Sequence, residues 1–183
     1  MIRRLASSLR LRGFARDRRG VSAVEFALMA PLMLTLYFGT VEISQGISVK
    51  RKLSLTARAV ADLAAQTTNI TNADMTNLLN ASAAVVSPFP SDKLSVIVSL
   101  VTIDANSKAT ITWSDAYNDT ARAKGSAVTL PAGLLVPSTA LVWSEVKYAY
   151  KPTVGYMVTG TVSMSDKLYM RPRLSDSITR TAS

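Results

Sequence analysis

Ser144 and Lys147 stand three apart in the stretch SEVK, the spacing of serine–lysine acyl-transfer sites. Those sites need a helical turn to bring hydroxyl and amine together. Here the run 141–150 alternates apolar and polar residues, which predicts a strand, and residues three apart on a strand point to opposite faces. The pair therefore cannot act together. The acids Asp104, Asp115, Asp119 and Asp166 are scattered through turn-like stretches, where aspartate bonds its own backbone. The chain has no histidine and no cysteine, which removes most general-base and zinc constellations, thiol nucleophiles and disulfides. No glycine-rich phosphate loop and no calcium-loop spacing is present. The residues give no catalytic, cofactor-binding or metal set, so the sequence reads as non-enzymatic and in need of no cofactor. Three glycosylation-like sequons, at Asn69, Asn80 and Asn118, read as chance.

One acid has a chemical consequence: Glu25. It sits near the start of a long apolar run, and residues 26–41 carry no charge. Counted from Val21, the run makes about 31 Å of helix, roughly the thickness of one hydrocarbon core. Leu28, Met29, Leu32, Met33, Leu34, Leu36, Tyr37 and Phe38 cover every side of that helix, as a lipid-facing span requires. Pro31 falls inside it, which membrane helices tolerate with a local kink. A carboxylate at the edge of such a span is costly unless paired, so it marks function by default.

The net charge of +9 does not point to nucleic acid. Seven of the 21 basic residues are arginines within the first 20 positions (Arg3, Arg4, Arg10, Arg12, Arg16, Arg18, Arg19), against one acid, Asp17. The basicity belongs to a leader rather than to a folded face. With Lys50, Arg51 and Lys52 after the span partly offset by Glu42, the positive-inside rule puts the N-terminus in the cytoplasm and the rest outside. A mitochondrial transit peptide shares the leader's composition but leaves Glu25 unexplained. A cleaved secretory signal would need small residues after the apolar core, and GTVEIS is a poor match.

The stretch RRG-VSAVE-FALMAPLML resembles the signal of type IV pilins, in which a basic leader ends in Gly and Glu is the fifth mature residue. With Pro31 and the ending YMRPR, it looks most like the TadE-type minor pseudopilins of tight-adherence (Flp/Tad) pili. The resemblance implies cleavage by a prepilin peptidase between Gly20 and Val21, and pairing of Glu25 with a neighbouring subunit's N-terminus during assembly. It makes Arg171, Pro172 and Arg173 a family-like C-terminal motif. The implied partners are the lipid bilayer, the prepilin peptidase, other pilin or pseudopilin subunits and the Tad assembly machinery. The implied location is the bacterial inner membrane, single-pass, with the C-terminal domain in the periplasm. Major pilins have a longer unbroken apolar helix, so a minor or accessory component fits better. The alternative is an uncleaved, signal-anchored periplasmic binding or sensor domain, which needs neither Gly20 nor Glu25.

These parts must be carried by a fold. Val49, Leu53, Ala57, Val60 and Ala64 recur at helical spacing, with Lys50, Arg51, Arg58, Asp62 and Gln66 on the other side. This predicts one helix over 21–66, broken at 67–71. A second helix is expected from Thr71 or Asn72, helped by Asp74, with Met75, Leu78, Leu79, Ala83 and Val86 as its stripe. SPFPSD stops it. Period-two runs at 94–100 and 109–114, joined by DANSK, predict a hairpin, with Ala109, Ile111 and Trp113 on one face. A loop over 117–137, a strand over 141–150, at least one strand within 156–170 and a polar, fraying tail from Arg173 complete the expectation. Trp143, Tyr148, Tyr150 and Tyr156 gather near one region, read as sheet packing. The fold class is α+β, pilin-like: a long N-terminal helix, a second helix and a small antiparallel sheet. The expected divisions are a leader at 1–20, a transmembrane helix at 21–43 in a segment continuing to about 66, and a periplasmic domain at 67–183.

Overall fold

The computed structural model describes residues 20–152 and 160–181. The arginine leader and Tyr156 lie outside them. Helix α1, Val21–Ala65, is a single helix of 45 residues with Pro31 inside it. Strand β1, Asn69–Ile70, leads into helix α2, Asn72–Val86. Strands β2, Leu94–Ile103, β3, Ala109–Tyr117, β4, Thr139–Tyr150, and β5, Val162–Met170, form an antiparallel sheet in the order β3-β2-β4-β5. Strand β6, Thr179–Arg180, pairs in parallel with β1. This is the α+β plan the patterns predict.

Local chemistry accounts for the elements. Thr71 caps α2: its hydroxyl accepts from the Asp74 amide at 3.2 Å, and the Asp74 carboxylate accepts from the Thr71 amide at 3.0 Å. These bonds satisfy amides that a helix start leaves orphaned. In the β2–β3 turn the Asp104 carboxylate accepts from the amides of Asn106 and Lys108, both at 2.8 Å. The apolar stripe of α1 is core as expected: Val49, Leu53, Ala57, Val60 and Ala64 are all buried. On α2, Ser82 is buried where Ala83 was expected, and the Ser82 hydroxyl donates to the Leu79 carbonyl.

The sheet has two covered faces. Leu94, Val96, Val98, Leu100, Val142, Val146, Tyr148 and Tyr150 pack under α1 and α2. On the other face Val101, Ile103, Ala109, Ile111, Leu141 and Trp143 pack under the segment between β3 and β4 through Leu130.

Four expectations need correction. Ala109, Ile111 and Trp113 do not share a face. A bulge makes the register jump from Leu100↔Trp113 to Val101↔Ile111, so Trp113 turns into the helix-covered core. The aromatic group is split as well: Tyr148 and Tyr150 lie under the helices, while Trp143 lies on the opposite face stacked on Tyr169 at 5.5 Å. The tail does not fray. Ile178 is 1 % exposed, its carbonyl accepts from the Trp113 indole at 2.8 Å, and β6 completes the pairing with β1. The stretch 67–71 is correspondingly more than a helix break, since it contains β1.

Candidate functional site: the N-terminal helix and its C-terminal clamp

Helix α1 divides at about Gly39. Below it every large apolar side chain from Val21 to Tyr37 is about half exposed or more, with Leu28 at 75 %. Above it the helix carries a continuous buried stripe from Gly39 to Ala65. It is the one helix among the described residues that is long and apolar enough to cross a membrane.

Gly20 stands immediately before the first helical residue, and nothing lies within 4 Å of the position a side chain there would take. Its carbonyl accepts from the Val24 amide at 3.1 Å. Glu25 is exposed and lies one helical turn beyond Val21. These three residues are therefore adjacent on open backbone, free of the folded domain.

Glu42 differs. It is 4 % exposed, in the first covered turn, and its negative charge adds to burial in raising the pKa of the Tyr150 hydroxyl. The residue that ends the uncharged run is thus part of the domain interior.

The C-terminal motif lies at the other end of α1. Arg173 reaches Asp62 at 2.5 Å, and its amide donates to the Ala65 carbonyl at 2.9 Å. A cation and an amide donor at a helix C-terminus satisfy orphan carbonyls and oppose the negative helix end. Arg171 and Pro172 border a polar depression with Ser138, Thr139, Ser175 and Asp176. Glu25 and Asp62 are 37 residues apart on one helix, about 55 Å, so the two candidate motifs do not form a common site.

Between these ends α1 is tied to the edge of the sheet. The Lys50 amine donates to the Ser165 carbonyl at 2.5 Å, and the Ser54 hydroxyl donates to the Asp166 carboxylate. Burial alone would raise the Asp166 pKa, but the bonds from Ser54 and the Lys167 amide and the charge of Lys50 hold it below its ordinary value.

Residues 20–62 match the family model described as TadE-like protein. The chain carries a TadE-like segment. That segment begins at the glycine before α1 and ends at Asp62, the acid that Arg173 grips. The match covers 43 of the chain's 183 residues, all but the first of them in α1. No curated protein and no solved structure matches the chain.

The remaining chemistry-bearing residues do not assemble. Ser144 is fully buried in the helix-covered core, while Lys147 is exposed on the other face and pairs with Asp119 at 2.9 Å. Among the described residues no group of three or more acids is placed to hold a metal ion. Sequence reasoning missed the Arg180 site. Its guanidinium donates to both Asp115 oxygens at 3.0 and 3.1 Å and to the Asn72 side-chain oxygen at 2.8 Å, and its hydrogen bonds to Asp115 raise its pKa further. No local pattern at 179–181 announces it, because both partners are remote in the chain.

Proposed function

We propose that the protein is a non-enzymatic minor pseudopilin or pilus-assembly component of a Tad/Flp-type pilus that supports pilus biogenesis and adhesion. Residues 21–43 hold it in the bacterial inner membrane, the leader at 1–20 stays in the cytoplasm until a prepilin peptidase cuts between Gly20 and Val21, and residues 67–183 form the periplasmic domain. The observation that carries the reading is the TadE-like match over 20–62, which opens on the glycine where α1 starts.

The chemistry is simple. Cleavage after Gly20 creates a cation at the Val21 amine, one turn from the Glu25 carboxylate. A carboxylate in lipid is stabilised by such a charge, and a neighbouring subunit's amine supplies the same chemistry between chains. Pairing would set the axial register of one span against the next. Arg171, Pro172 and Arg173 serve the same assembly indirectly, by fixing the domain to the top of the helix that carries Glu25.

The test is the N-terminus of the protein recovered from membranes of a host with its prepilin peptidase intact, read by mass spectrometry. A chain beginning at Val21 supports the reading. A chain beginning at Met1 in that host overturns it and leaves a signal-anchored periplasmic domain. Glu25→Ala is expected to abolish piliation while membrane insertion persists.

A further inference from the structure

The outward side of α1 beyond the apolar half carries charge of one sign. Residues 43–61 hold four cations, Lys50, Arg51, Lys52 and Arg58, and no acid. Lys50 is engaged by the Ser165 carbonyl and Asp166. Arg51 and Arg58 are exposed, and neither makes an ion pair among the described residues. Ile47, Arg51, Leu55 and Arg58 step along the helix by four, four and three residues, so they share one side over about 16 Å. Ile47 is 51 % exposed and Leu55 54 %. Lys50, Arg51, Ser54, Leu55 and Arg58 border a shallow depression of about 360 Å³. Two large apolar side chains and two unpaired guanidiniums thus alternate along a straight ridge, at the spacing by which one helix seats on another.

We propose that this side of α1 docks a helix of a different chain, apolar along one stripe and carrying two carboxylates seven residues apart. The carboxylates meet Arg51 and Arg58, which are about 10 Å apart, and the stripe covers Ile47 and Leu55. A second copy of this chain does not fit. No two of its 12 acids stand seven residues apart. Helix α2 has Asp74 alone, engaged in its cap, and α1 beyond Val41 has only the buried Glu42 and Asp62, which Arg173 holds. Laid against its own copy, this side would set guanidinium against guanidinium. The bilayer does not fit either. Leu55 and Arg58 lie 14 and 17 residues beyond Val41, where the uncharged run ends, about 21 and 25 Å along the helix. A headgroup layer is roughly 5–7 Å thick, so in the anchored orientation both side chains stand clear of it.

That orientation rests on the membrane-anchored reading, and the experiment separates the two. The full-length chain carries the photoreactive residue p-benzoylphenylalanine in place of Leu55, of Leu34 in the span, or of Asn106 in the far β2–β3 turn. Each form is irradiated in the cells that make the protein, and the adducts are mapped by mass spectrometry. The expected adduct at position 55 joins a different protein, on a helix with two carboxylates seven residues apart at the contact. Position 106 should not give it, and position 34 should label acyl chains. Arg51→Glu with Arg58→Glu should reduce the adduct at 55 severalfold, and lysines in place of the two mapped acids should restore it in the charge-reversed chain. A homotypic adduct at 55, lipid adducts alone, no adduct, or a contact segment without those acids overturns the proposal. So does an adduct that charge reversal leaves unchanged. Absence of acyl-chain adducts at position 34 overturns the anchored reading and leaves the docking face to the result at 55.

Discussion

The two halves of α1 are made by one backbone and held by different means. From Phe26 to Tyr37 the helix is uncharged and its large apolar side chains stand exposed on every side. From Gly39 to Ala65 it is amphipathic, with Val49, Leu53, Ala57, Val60, Ala61 and Ala64 against the sheet and α2, and Arg51, Leu55 and Arg58 turned away. The helix as a whole has no acid in its first turn and no basic residue in its last turn to complement the dipole. What keeps each half helical is its surroundings. In lipid an unsatisfied amide is costly, so the backbone must bond to itself. In the domain, burial of one stripe does the work that propensity alone does not.

If this division is right, the same substitution must have different consequences on either side of Gly39. The largest expected effect is Leu53→Ala, which opens a cavity under a fully buried side chain and should destabilise the domain by about 2–5 kcal/mol. Leu32→Ala should leave domain stability within about 0.5 kcal/mol. Denaturation in detergent followed by tryptophan fluorescence compares them. Equal midpoints for the two variants would break the comparison.

Next comes charge. Leu32→Asp puts an acid near mid-span and should cost about 2.5–3.5 kcal/mol of insertion, read as the membrane-bound fraction. Leu55→Asp, on the outward side of the covered half, should insert normally.

The top of the covered half is held from outside, and the third prediction concerns that hold. Arg180→Ala strips the half-buried Asp115 of a paired cation and should destabilise by about 1–3 kcal/mol. Because Ile178 meets Trp113 and Trp143 lies in the other core, the emission change should come from Trp113, and a Trp143→Phe background should keep it. Thr71→Ala removes the α2 cap at a cost of about 1 kcal/mol, measured the same way.

Smallest is the pH effect. Asp119, bonded by Lys147 and the Thr120 amide, and Asp166 both have folded pKa values below the ordinary one. A depressed carboxyl stabilises fully above its unfolded pKa and loses that contribution as pH falls through the folded value. Stability should hold from pH 7 to about pH 5 and decline below about pH 4. Asp119→Asn should make that acid limb shallower. A steeper limb would reverse the assigned sign.

The elements were legible because their periodicity is long. α1, the α2 cap, the β2–β3 hairpin and β4 all follow from spacing and turn chemistry in single stretches. What escaped was set by contacts between remote residues. The bulge that turns Trp113 inward has no glycine to signal it, since Thr112 is simply the extra residue. The two-residue strands β1 and β6 are too short to show a period, and a polar tail looks free until Ile178 and Arg180 find Trp113 and Asp115. Of the candidate site, Gly20, Val21 and Glu25 were legible as a local motif. The grip of Arg173 on Asp62 was not, because it joins residues 111 apart.

The unbroken passage of α1 from its bare half into its covered half makes the protein a lever. Membrane helices tilt on average by about 20°. The 27 residues from Gly39 to Ala65 form an arm of about 40 Å, so a tilt of that size swings the far end of the domain sideways by roughly 14 Å. With the span anchored in a bilayer as proposed, contacts made there would steer where the opposite end of the domain points.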